Sequence, residues 1–189
     1  HHFNHEAIIG LSSRPFRDLE HMTETMIERW NERVGRGDMV YHLGDFAMSW
    51  GARHRELVDE LLGRLHGQKF LLKGNHDRRE VVRSDRWVKV WDLKEIAVDL
   101  GGPAKQRIVL CHDPLRTWHG VSRGTWMLHG HCHGNLPDLG GRILDVGVDA
   151  WDFAPVSLEQ IGERMAERPI VVEEGHRGTT DETRESDAD

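Results

Sequence analysis

KFLLKGNHD, residues 69–77, is the stretch that decides how the chain is read. Phe70, Leu71 and Leu72 make an apolar run too short for a helix but suited to a buried strand. The run stops at Gly74, where the backbone is free to turn sharply and approach an ion closely. Directly after the turn stand an amide, an imidazole and a carboxylate: Asn75, His76 and Asp77. The arrangement recurs. MVYHL (39–43) leads into Gly44 and Asp45, RIVLC (107–111) into His112, and WMLHGHCH (126–133) into His131 and His133. Polar residues at the ends of successive strands converge, because the crevice beyond the carboxyl ends of an open α/β sheet is where separate loops meet.

Between these strands the apolar spacing turns helical. Met22, Met26, Ile27, Trp30 and Val34 predict a helix over Leu19–Val34 that Gly35 stops, and Leu57, Val58, Leu61, Leu62 and Leu65 predict another over His54–Leu65. Ser157 with Gln160 three residues on is a capping box, so the last helix is expected in SLEQIGERMAE (157–167). Strands alternating with helices make this an α/β chain.

At 189 residues, 38% hydrophobic and 30% charged, the chain suits one domain with a sizeable core. Its charge of −7 is uneven: residues 173–189 hold seven acids against two arginines, a net −5, which leaves −2 for the body. That acidic segment lacks apolar periodicity, so the expected division is a folded unit over 1–171 and a disordered tail over 172–189. No apolar run approaches the roughly 18 to 20 residues that span a bilayer, and no secretory leader is visible. A cytoplasmic protein without membrane contact is the expectation. Cys111 and Cys132 are read as small packing residues rather than as a disulfide.

Taken in order, His2, Gly44-Asp45, Gly74-Asn75-His76-Asp77, His112 and Gly130-His131-Cys132-His133 resemble the calcineurin-like metallophosphoesterases. That pattern runs D-x-H, G-D, G-N-H-[DE], a lone His, then G-H-x-H, and its first Asp would precede residue 1. Flanking stretches such as HFNHEAII, YHLGDF and VGVD are similar to small phosphoesterases predicted in bacteria and phages. The resemblance implies two β-sheets packed face to face and flanked by helices, an α/β/β/α sandwich with the site at one edge. It implies two divalent metal ions, Mn favoured and Fe, Zn or Ni admitted by mixed oxygen and nitrogen donors. One would be held by that first Asp with His2, Asp45 and His133. The other would take Asp45 as a bridge with Asn75, His112 and His131. His76 would face the substrate, stabilising developing charge or protonating the leaving oxygen, while a metal-bridging hydroxide attacks.

The activity expected is hydrolysis of phosphodiester bonds in nucleotides or other small phosphate compounds. Phosphomonoesterase, nuclease and a non-catalytic metal-binding scaffold are the alternatives. His5 and Arg14 are candidate substrate contacts beside Asn75 and His76. Arg78, Arg79, Arg83 and Arg86 read first as a solvated face and second as a phosphate path, and Trp118, His119 and Trp126 read first as packing and second as a nucleobase platform.

Overall fold

The computed structural model describes residues 1–48, 54–138 and 140–171. The acidic segment expected to be disordered lies outside the described residues. Five α-helices and seven strands are present among them, besides 3-10 turns at Val121–Arg123 and Val148–Ala150: α1 (Ala7–Leu11), α2 (Leu19–Arg33), β1 (Met39–His42), α3 (His54–Arg64), β2 (Gln68–Leu72), α4 (Arg79–Val82), β3 (Lys89–Trp91), β4 (Leu93–Val98), β5 (Gln106–Cys111), β6 (Trp126–His129), β7 (Ile143–Asp145) and α5 (Leu158–Ala166).

The strands form two sheets, β1-β2-β3 and β4-β5-β6-β7. The first is parallel throughout, with His42 opposite Leu71 and Leu72 opposite Trp91. In the second, β4 runs antiparallel to β5, while β5, β6 and β7 are parallel, with Leu110 opposite Leu128 and His129 opposite Asp145. Alternation along β2 assigns its two faces. Leu71 packs into a cluster with Met22, Met26 and Trp30 of α2 and Val58, Leu61 and Leu62 of α3. Its neighbour Leu72 instead joins Ile108, Leu110, Trp126 and Leu128 of the second sheet. A residue on each face of one strand thus ties helices to the first sheet and the first sheet to the second.

The helices end where their sequences say they should. Asp18 accepts a hydrogen bond from the His21 amide at the start of α2, and α2 ends one residue before Val34. The capping box of Ser157 and Gln160 is formed at α5, which sets Ile161 and Met165 into the inter-sheet cluster. The outer face of the second sheet, with Val109, Cys111 and Met127, is covered by Leu115 and Trp118. A cavity of about 820 Å³ lies between the sheets beside β1, bordered by Tyr41, Leu110, Leu128 and Ile161, and its lining includes Asp45 and His133. No helix among the described residues is long and apolar enough to cross a membrane.

Leu72 is fully buried at the contact between the sheets. Leu72→Ala is expected to cost about 2–5 kcal/mol, the range for deleting a buried leucine side chain, as read from chemical denaturation.

Candidate metal centre

Four strands of the two sheets deliver the site from their carboxyl ends. β1 leads to Asp45, β2 to Asn75 and His76, β5 to His112, and β6 to His131 and His133. The Gly44 and Gly74 turns sit back to back. Gly44 has φ +86°, and a Cβ there would lie 2.4 Å from His112 Nδ1; one on Gly74 would lie 2.3 Å from Asp45 Oδ1. Only glycine fits either position.

The Asp77 carboxylate locks the two turns together. It is buried, and it accepts hydrogen bonds from the amides of Asp45 (2.8 Å), Phe46 (2.8 Å) and Gly74 (2.9 Å). Burial pushes its pKa up, partly countered by those same amides. Asp77 therefore does not orient the ring of its neighbour His76.

Asp45 is the centre of the arrangement. Its Oδ1 accepts the His76 amide hydrogen at 2.8 Å, while Oδ2 lies 3.4 Å from His2 Nε2 and 3.2 Å from His112 Nε2. Burial opposes ionisation of Asp45, but the neighbouring His112 and His2 imidazoles and the His76 amide outweigh it and hold the carboxyl far below its usual range. Around the same point His112 Nε2 lies 2.9 Å from Asn75 Oδ1 and 3.0 Å from His131 Nδ1, with His131 Nδ1 and Asn75 Oδ1 3.1 Å apart. Donor atoms of Asp45, His112 and His131 all fall within 4.8 Å of one another.

The proton bookkeeping of this cluster fits a cation. His112 Nδ1 lies 2.7 Å from the Leu43 carbonyl, which only accepts, so Nδ1 carries the proton of a neutral ring and Nε2 presents a lone pair. When the ring is neutral that lone pair faces a carboxylate and an amide oxygen, acceptors with too few protons among them, and either a second proton on Nε2 or a metal ion relieves this. Burial works against charging His112, yet Asp45 and the Leu43 carbonyl raise its pKa. His2 behaves oppositely: burial is the main cause that takes its pKa down to about 3, and its buried Nε2 lacks a hydrogen-bond partner among the described residues. The rings of His2 and His133 lie 4.9 Å apart.

The remaining expected site residues divide. His76 meets His2 edge-on at 5.3 Å between centroids, and His5 Nδ1 is 3.4 Å from His2 Nδ1, so both rings border the centre. Burial, then the neighbouring His76, lowers the pKa of His5. Arg14 must be corrected: its side chain is 0% exposed, and Asp149, the His1 carbonyl and Met22 Sδ take four of its five N–H donors. It has no surface from which to contact substrate. Arg78, Arg79, Arg83 and Arg86 are exposed, in keeping with a solvated face. Trp126 is buried in the inter-sheet cluster, Trp118 donates to the Thr125 carbonyl, and His119 pairs with Glu95, so these three pack or pair locally. Both cysteines are free; Cys111 is buried and Cys132 half-buried.

Sequence reasoning missed two carboxylates. Asp149 accepts from His133 Nδ1 at 2.8 Å, and Asp145 accepts from the amides of Gly134 and Gly147 at 3.0 and 2.8 Å, stapling the His133 loop to the end of β7. Their one visible signal was the strand, glycine and acid order of ILDVGVD (143–149).

The sequence profile of the calcineurin-like phosphoesterases matches residues 4–186. The chain belongs to that family. Its relatives include an uncharacterised protein of Methanocaldococcus jannaschii, 30% identical over 176 residues and 90% of each chain. The Gene 66 protein of Mycobacterium phage D29 is 30% identical over 79% of this chain and 84% of its own. A crystal structure of an Aquifex aeolicus protein of unknown function shares the fold, with a TM-score of 0.65 at 23% identity, covering 86% of this chain and 94% of that one. Family membership makes this chain a metal-dependent phosphoesterase, and the cluster around Asp45 is its candidate metal site.

Because Asp77 holds the Gly44 and Gly74 turns through three amides, Asp77→Asn puts an NH2 group against backbone donors. The expected loss is about 1–3 kcal/mol for each amide left unsatisfied, measured by denaturant titration.

Proposed function

We propose that the chain hydrolyses phosphodiester bonds with two divalent cations bridged by Asp45. The observation that carries this reading is the placement of Asp45 Oδ2 between two imidazoles from different loops, His2 at 3.4 Å and His112 at 3.2 Å. His112, His131 and Asn75 would hold one cation with Asp45. His2, His133 and Asp45 would hold the other, joined in the family pattern by an aspartate two residues before His2. Bound there, the cations, Mn²⁺ favoured and Fe, Zn or Ni admitted, would neutralise phosphoryl charge and lower the pKa of a water for in-line attack.

The protein's own groups do the rest. Asp45 positions His76, whose amide it binds, and His76 serves as the group that stabilises or protonates the leaving oxygen. Asn75 and His131 are exposed, so the phosphate reaches the centre from solvent, past His5 and His76. Arg14 is spent on Asp149 and His1. With no arginine assigned to the phosphate, the site suits a diester monoanion better than a monoester dianion. Nucleotides and other small phosphate compounds are the substrate class, and a cytoplasmic location accords with two free thiols.

Two results are expected. His76→Ala lowers turnover about 10²–10⁴-fold, the range for general acid–base catalysis, with metal content unchanged by elemental analysis, whereas Asp45→Ala loses metal as well as activity. Loss of metal from the His76 variant would instead make His76 a ligand. In a matched assay with Mn²⁺, bis-p-nitrophenyl phosphate is cleaved with a kcat/KM at least equal to that of p-nitrophenyl phosphate. A clear preference for the monoester would replace the diesterase reading with the phosphomonoesterase one.

A further inference from the structure

We propose that Arg14 and Asp149 are positioning residues that hold His2 and His133, the two imidazoles of one cation site, in ligating geometry. The inference rests on the reading that His2 and His133 bind a cation.

The argument starts from the backbone. His2 has φ +60° and His133 φ +51°, a left-handed conformation that L side chains adopt at a cost, so each must be held by its surroundings. One guanidinium reaches both. Arg14 Nη1 donates at 2.7 Å to the carbonyl of His1, the oxygen of the peptide that enters His2. Its Nε and Nη2 donate at 2.8 and 2.9 Å to the two oxygens of Asp149, a bidentate pair formed across 135 residues of sequence. Asp149 Oδ2 then accepts from His133 Nδ1 at 2.8 Å. A carboxylate only accepts, so the His133 proton sits on Nδ1 and the lone pair of a neutral ring sits on Nε2, the nitrogen left for a metal.

The clamp is buried. The side chain of Arg14 is 0% exposed and that of Asp149 9%. Met22 Sδ and the Phe153 ring complete the surroundings of the guanidinium. Its planar fork is what spans a carboxylate and a carbonyl together. A lysine ammonium, a point charge on a flexible stem, does not reproduce that fork.

The test is calorimetric titration of metal-free protein with Mn²⁺, comparing the unaltered chain with Asp149→Asn, Arg14→Lys and His133→Ala, each checked for its melting transition. Asp149→Asn nearly preserves shape and Arg14→Lys preserves charge, so one folded variant suffices. The expected result is a 10–100-fold loss of affinity, the usual effect of removing a partner behind a ligand, at the site that His133→Ala abolishes. Affinity at the Asn75, His112 and His131 site stays unchanged. A second readout needs no metal: in the metal-free protein, the ¹⁵N shifts of His133 report an Nδ1–H tautomer that Asp149→Asn shifts toward Nε2–H. If His133→Ala removes one Mn²⁺ site while both positioning variants keep full affinity and an unchanged tautomer, the proposal is overturned and the metal reading stands. If His133→Ala leaves Mn²⁺ binding untouched, the two-cation reading fails and the proposal falls with it.

Discussion

The buried carboxylate of Asp77, drawn between three amides of two turns, is the constraint on which the metal centre depends. Burying a charge is costly unless hydrogen bonds replace its hydration, and here the replacement comes from the amides of Asp45, Phe46 and Gly74. In satisfying itself, the carboxylate fixes the distance between the β1 and β2 loops. Gly44 and Gly74 make that distance sterically accessible. The position of Asp45 between two sets of imidazoles then follows from the packing of the loops.

The two sheets supply the other half of the geometry. β5 and β6 bring His112, His131 and His133 against the first sheet because Ile108, Leu110, Trp126 and Leu128 share a core with Leu72. Apolar packing a few residues before the ligands therefore sets how closely the imidazoles approach Asp45. The Leu43 carbonyl adds a direct tie, since it accepts from His112 Nδ1 and so couples the end of β1 to the end of β5.

Strand followed by ligand, with a glycine between them in three of the four blocks, was legible in the sequence because each block is local, the mainly apolar stretches 39–43, 69–73, 107–111 and 126–129 leading directly to the ligand residues. The capping box at Ser157 and the helical spacing from Met22 to Trp30 were legible for the same reason. What escaped was short or distant. β3, β4 and β7 are half-exposed strands of three to six residues whose patterns do not stand out from loop sequence. α1 and α4 are single turns. Arg14 looked like an anion contact because an arginine near a ligand loop carries no mark of burial, and its partner lies 135 positions away. The sequence left open which way Asp77 points; its carboxylate takes the amides of Asp45, Phe46 and Gly74, a relation that only the fold creates.

Five residues in the loops around the centre, His2, Asn4, Asp45, His131 and His133, have φ between +51° and +66°. Asn, Asp and His are the non-glycine residues most often found in that region, and they are also oxygen and nitrogen donors suited to divalent metals. The tight turns thus act as a filter on residue type before any metal is considered. Lengthening a donor, as in a change of Asp to Glu, would conflict with the turn as well as with the ligand distance. The ligand alphabet at this centre is narrowed by backbone curvature, so substitutions that look chemically conservative are excluded on conformational grounds.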